Sequence, residues 1–255
     1  MKKTILSVFI AIVLVAFEAK SQVLIDTISL VSTEDTNAEF SFNNTKLMAG
    51  NNISDRYLVY YNSDTVFLNV YQSGNWTRKN VCTGSNIKSA TLSFYKDTIW
   101  VCWKGGAFIK ASYSTDSGIV WNSIPFVSSA GSVAAPFIYA SSNGKIHFVW
   151  SNSSDTTVYH NVYSNGSLLS QYALSNTNAR AEFASVIAIG DTVLCAWKEL
   201  PLPSQVWFAR SVNGGTSWDT ILSPPLLADP SCQFYNCTTS TKYKRRKQNN
   251  KRKQG

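Results

Sequence analysis

Trp103, Trp150 and Trp197 stand 47 residues apart, and each closes an apolar segment: IWVCW at 99–103, IHFVW at 146–150 and VLCAW at 193–197. A short turn precedes each one, KDT at 96–98, NGK at 143–145 and GDT at 190–192. A fixed period of this size marks a chain built from stacked copies of one supersecondary unit, because a single copy cannot bury its own apolar face.

Aligning the copies on the tryptophans extends the match both ways. An upstream strand reads SATLSF (89–94), AAPFIYA (134–140) and ASVIAI (184–189). A downstream strand reads AFIKASYS (107–114), TVYHNVYS (157–164) and VWFARS (206–211), and a weaker fourth follows near 119–127, 167–174 and 216–222. An earlier copy places YLVYY (57–61) where the tryptophan strand falls. Short aromatic-rich or alternating strands between Gly/Asn/Asp/Ser turns predict an all-β chain of four-stranded meanders, with no helical periodicity after the leader. Units of this length are blades of a β-propeller. Four are expected at about 40–80, 86–128, 132–175 and 180–223, with a partial fifth over 224–236.

The ends behave differently. Lys2 and Lys3 precede an apolar run from Ile5 to Phe17, and Ala19-Lys20-Ser21 offers small residues for cleavage. Residues 1–21 therefore read as a secretory signal peptide, which places the mature chain outside the cytoplasm. Residues 237–255 form a polar, basic tail that cannot bury a core. A fifth blade that starts at DPSCQFYN (229–236) and is then abandoned favours a truncated or frame-shifted reading of an incomplete six-bladed ring. The alternative is a true tail on a closed four-bladed ring. Open blade faces would favour self-association.

The net charge of +8 comes from these ends: 11 of the 23 basic residues lie in the leader and in 242–255. The 12 that remain face 14 acidic residues between Gln22 and Thr241, so a specific nucleic-acid face is not implied. The tail alone would give salt-sensitive, non-specific adhesion. Five cysteines cannot all pair internally, and alternation turns Cys102 and Cys195 to opposite faces as small core residues. With His147 and His160 the only histidines, both on strands, no metal or cofactor is expected.

The turn after the third strand carries the most specific motif. Ser114, Asp116, Gly118 and Trp121 spell S-x-D-x-G-x-x-W, and Ser211, Asn213, Gly215 and Trp218 spell S-x-N-x-G-x-x-W. Degenerate forms stand at Ser73-Gly74-Asn75-Trp76 and Ser164-Asn165-Gly166. The Asp or Asn oxygen is suited to accept backbone N–H groups, the glycine to supply a left-handed conformation, and the tryptophan to cover the turn. This pattern resembles the Asp-box, or bacterial neuraminidase repeat, of the sialidase-like propeller superfamily, and the leader and Asn/Ser/Thr-rich body resemble exported Bacteroidota members. The resemblance implies that the boxes are structural hairpins remote from any active site.

A sialidase would also need three arginines around a carboxylate and an Arg-Ile-Pro motif near the start. The segment VLIDTISLVSTEDTNAEFSF (23–42) holds neither arginine nor proline, and the body has only Arg56, Arg78, Arg180 and Arg210. Arg78 and Arg210 belong to the hairpin side, which leaves too few for convergent, bidentate capture. The expectation is a non-catalytic module binding glycans or cell-surface proteins; the other reading is a fragment of a sialidase-like exo-glycosidase. Ligand contacts are expected on the opposite face, built from second-to-third-strand loops and inter-blade connections. The charged candidates there are Lys104, Arg180, Glu182, Lys198 and Glu199.

Overall fold

Valine, isoleucine and aromatic runs interrupted by turn residues pair locally before they pack, and each run here pairs with its sequence neighbour. A computed structural model describes residues 48–50, 55–124, 126–169, 171–175, 180–200 and 205–221. The expected leader, fifth-blade start and basic tail lie outside these residues. Blade 1 contains β1 (Met48–Gly50), β2 (Arg56–Tyr61), β3 (Thr65–Gln72) and β4 (Asn75–Thr83). Blade 2 contains β5 (Ile87–Tyr95), β6 (Thr98–Gly105), β7 (Phe108–Ser114) and β8 (Asn122–Ile124). Blade 3 contains β9 (Val133–Ala140), β10 (Ile146–Asn152) and β11 (Thr157–Ser164), with its fourth strand split into β12 (Ser167–Leu168) and β13 (Tyr172–Ala173). Blade 4 contains β14 (Arg180–Ile189), β15 (Thr192–Leu200), β16 (Gln205–Ser211) and β17 (Asp219–Ile221). Every pairing is antiparallel and joins chain neighbours, except that β13 pairs with β11 beside β12, and the described chain is part of an all-β propeller.

The core lies between blades rather than within them. Three clusters join blade 1 to 2, blade 2 to 3 and blade 3 to 4, and they contain Trp103, Trp150 and Trp197 respectively. Each periodic tryptophan therefore packs on the preceding blade. Trp150 and Trp197 are 1% and 0% exposed. Burying about 150–250 Å² per indole corresponds to roughly 4–6 kcal/mol of gross transfer free energy. That is why the period survives at these positions.

Two details depart from the simple repeat. In blade 1 the tryptophan's place is taken by Tyr60, which stands opposite and stacks on Phe67, as Trp150 does on Tyr159. Tyr61 points the other way, into the cluster shared with blade 2. Second, the innermost strands of blades 2, 3 and 4 each carry a bulge, with Ser89, Ala135 and Phe183 at φ of 55°, 47° and 56°. Non-glycine residues in this region are uncommon, and three at near-equal spacing make a repeated device that re-aims the start of each inner strand.

Candidate functional site

The box turns are the most completely described feature. Ser114 Oγ donates to Asp116 Oδ1 (2.7 Å) and accepts from Gly118 N (2.8 Å), while Asp116 Oδ1 accepts from Ile119 N (3.0 Å) and Val120 N (2.9 Å). Trp121 Nε1 donates to Gly118 O at 3.2 Å. These N–H donors hold the Asp116 carboxyl below its ordinary range, the Val120 amide most strongly. The second box repeats the pattern: Ser211 Oγ bonds Asn213 Oδ1 (2.8 Å) and Gly215 N (2.9 Å), Ser217 N donates to Asn213 Oδ1 (3.0 Å), and Trp218 Nε1 donates to Gly215 O (3.1 Å). The second amide atom is satisfied too, because Asn213 Nδ2 donates to Ser217 Oγ at 2.7 Å. A neutral side chain thus closes the same turn.

Each box also docks on the blade before it. A Cβ on Gly118 would lie 3.2 Å from Leu68 in blade 1, and one on Gly215 would lie 2.4 Å from the His160 ring in blade 3. Leu68 and His160 hold equivalent register positions, opposite Val59 and Val149. Trp218 meets His160 edge-on at 4.7 Å. His160 Nε2 lies 3.1 Å from His147 Nδ1, and both rings are buried. Burial drives His147 down to about 4, helped by Lys145 and opposed by Asp191, and holds His160 well below its ordinary range, with His147 adding to the effect. The pair is a neutral, hydrogen-bonded part of the seam between blades 3 and 4.

The charged candidates expected in loops and inter-blade connections lie instead within strands: Lys104 in β6, Arg180 and Glu182 in β14, Lys198 and Glu199 in β15. Pairing runs further along each strand than the turn residues suggest, and the fold separates the candidates. Arg180 Nη2 meets Glu182 Oε1 at 2.6 Å, and Glu182 stands opposite Lys198. By alternation these three share the blade 4 surface turned away from blade 3, since Ala181 and Trp197 point into the cluster with blade 3. Glu199 is on the other side. It is only 9% exposed, and its carboxylate accepts the Trp197 indole N–H at 2.8 Å. Glu199 thereby braces a core tryptophan. Lys104 belongs to blade 2, opposite Lys88, and burial followed by Lys88 lowers its pKa. Lys88, on an inner strand just before the Ser89 bulge, escapes a loop-based reading because it lies in a strand.

Asp155, in the loop between β10 and β11, also belongs to the face opposite the boxes. Tyr159 OH donates to its Oδ2 (2.8 Å), Asn152 Nδ2 donates to the same oxygen (3.0 Å), and Thr157 N donates to Oδ1 (3.1 Å). Burial first, then Asp155, raises the Tyr159 phenol. The N-S-S-D spacing of 152–155 is the readable signal, a loop braced by its own side chains.

All four arginines of the body are engaged inside their own blades. Arg56 lies over the Tyr71 ring (5.4 Å), Arg78 over Phe67 (5.2 Å), Arg180 on Glu182, and Arg210 3.5 Å from Asp219. Burial raises the thiols of Cys102 and Cys195 well above the ordinary value and that of Cys82 to about 11, which makes them poor nucleophiles. Among the described residues no three His, Cys, Asp or Glu side chains gather as a metal site would require.

No protein-family profile matches the chain, and no curated sequence matches it. Solved structures with a similar backbone include the Bacteroides ovatus xyloglucan PUL protein GH43B, 14% identical over 74% of this chain and 43% of that one, with a TM-score of 0.48. An endo-arabinase from Bacteroides thetaiotaomicron is 9% identical over 72% and 84% of the two chains, with a TM-score of 0.46. A mutant NanB sialidase from Streptococcus pneumoniae is 12% identical over 61% and 27%, with a TM-score of 0.45. This chain spans less than half of the first of these. At such scores the likenesses carry no inference about chemistry.

Proposed function

We propose that this chain is an exported, non-catalytic propeller that binds glycans on the face opposite its boxes. The observation that carries the reading is the engagement of all four body arginines within their own blades. A carboxylate-gripping triad needs convergent guanidinium groups, and rings and carboxylates already hold these apart. The face still offers donors for neutral or acidic sugars. Lys88 and Lys104 stand together on blade 2, and Lys198 stands beside the Arg180–Glu182 pair on blade 4. Lowering of the Lys104 pKa by burial and by a second lysine favours an anionic or hydroxyl partner there.

One observation favours the second reading, a fragment of a sialidase-like exo-glycosidase: the Tyr159 hydroxyl lies 2.8 Å from Asp155. Against it, the phenol pKa is raised, whereas a tyrosine nucleophile needs a proton that leaves easily. A fluorogenic sialoside separates the two. The non-catalytic reading expects no turnover above buffer at micromolar protein, and saturable turnover abolished by Tyr159→Phe would reverse the ranking. Export is tested by N-terminal sequencing of secreted protein. Gln22 is the expected first residue, and retention of Met1 on exported material would contradict the signal-peptide reading.

A further inference from the structure

The boxes alternate, and the gap between them has a consequence on the hairpin face. The boxes of blades 2 and 4 reach across to Leu68 and His160 of the preceding blades. Blade 3 has a tight turn instead, Asn165-Gly166 with φ of 52° and 81°, flanked by the paired Ser164 and Ser167. It has no box tryptophan to lay against blade 2. A cleft of about 380 Å³ lies at that junction, walled by Tyr113, Asn122 and Ser123 of blade 2 and by Tyr163, Ser167 and Leu168 of blade 3. Trp100 stacks on Tyr113 at 4.7 Å and meets Tyr163 at 5.4 Å, and its buried indole N–H has no protein acceptor among the described residues.

We infer that this inter-blade cleft is a second saccharide site, which takes one ring of a neutral glycan where the missing box would have packed. Tyrosine faces match the C–H surface of a pyranose, and amide and hydroxyl groups match its hydroxyls. The lining has no ionisable group other than the two phenols, so a charged ligand has no counter-ion there. The volume suits a single sugar ring rather than an oligosaccharide. The site is separate from the charged loop face and does not depend on the reading given for it.

The test uses the full chain and a soluble panel of neutral gluco-, xylo-, arabino- and galacto-oligosaccharides, read by quenching of intrinsic tryptophan fluorescence and by line broadening of sugar proton signals. At least one panel member is expected to bind. Ser167→Trp, which places an indole on the exposed rim as a box would, is expected to abolish that binding. Tyr163→Phe is expected to weaken it only mildly and Tyr163→Ala by about tenfold or more. All of these variants are also made on a Lys104→Ala/Lys198→Ala chain, so that binding on the charged face does not mask the cleft, and the binding that remains there is the one that Ser167→Trp is expected to abolish. Far-ultraviolet circular dichroism checks each fold, and Ser167→Trp keeps the test decisive should Tyr163→Ala unfold. Binding that persists in folded Ser167→Trp on that chain overturns the inference, as does a folded wild type that binds no panel member at 10-millimolar-scale sugar, on the order of single-ring affinities.

Discussion

Acidification should loosen the seam between blades 3 and 4. His147 and His160 are 0% and 1% exposed, and the pKa of His147 falls from 6.5 to about 4 on folding. For a base depressed in this way, the stabilisation is complete above the unfolded value and is lost as pH falls from 6.5 towards 4, because only the unfolded chain takes up the proton. For His147 the linkage amounts to about 2 kcal/mol at pH 5 and about 3 kcal/mol at pH 4. Burial depresses His160 as well, with His147 adding to the effect, so its contribution has the same sign. Hydrogen bonds from the Val120 amide and from Lys145 hold the Asp116 and Asp191 carboxyls below their ordinary range, so their protonation does not account for a loss between pH 7.5 and 5.0. Urea unfolding at pH 7.5 and 5.0 reads the difference directly. The control is His147→Leu combined with His160→Leu: it removes both partners at once, so no lone buried polar group remains, and it borrows the leucine that blade 1 uses at position 68. The double variant should lose less than about 1 kcal/mol over the same interval. An equal loss in wild type and double variant would refute the assignment of the acid sensitivity to this pair.

Trp150→Ala should cost about 3–5 kcal/mol in chemical denaturation, since it opens a cavity between blades 2 and 3; a cost below about 1 kcal/mol would mean the seam is not the core. Gly215→Ala should destabilise more than Gly118→Ala in thermal melts, because its Cβ would meet the His160 ring at 2.4 Å rather than a leucine methyl at 3.2 Å; the reverse order would contradict the docking of box on blade. Asp116→Asn should retain most of the melting temperature and Asp116→Ala should not, since Asn213 already closes the other box with an amide. Ala135→Gly should be neutral or stabilising by up to about 1 kcal/mol, as it relieves a left-handed alanine, and a clear loss would show that the Cβ matters more than the backbone.

Legibility in the sequence followed how local the chemistry is. The box turns could be read from residue type because every hydrogen bond spans four residues or fewer, from Ser114 to Gly118 and from Asp116 to Val120. The blades could be read because Trp103, Trp150 and Trp197 answer to one packing demand. The bulges could not: Ser89, Ala135 and Phe183 have no preference for positive φ, and only pairing with the next strand imposes it. The place of Tyr60 over Tyr61 likewise depends on which way a strand of four apolar neighbours turns, a choice made by the adjacent blade. Among the candidate residues, spacing grouped Lys198 with Glu199, yet adjacent strand residues point to opposite faces, so one lines the open surface and the other braces Trp197. Lys88 and Asp155 were missed because their relevance comes from cross-strand register and from a loop folded on itself.

The central claim, glycan binding on the loop face, is tested most directly by a glycan array probed with full-length chain and with its Lys104→Ala/Lys198→Ala variant. The account predicts a specific set of saccharides bound by the wild type and weakened about tenfold or more by the double variant, whose surface substitutions leave the blade cores intact. An empty array with folded protein, or a wild-type pattern unchanged in the variant, would contradict it.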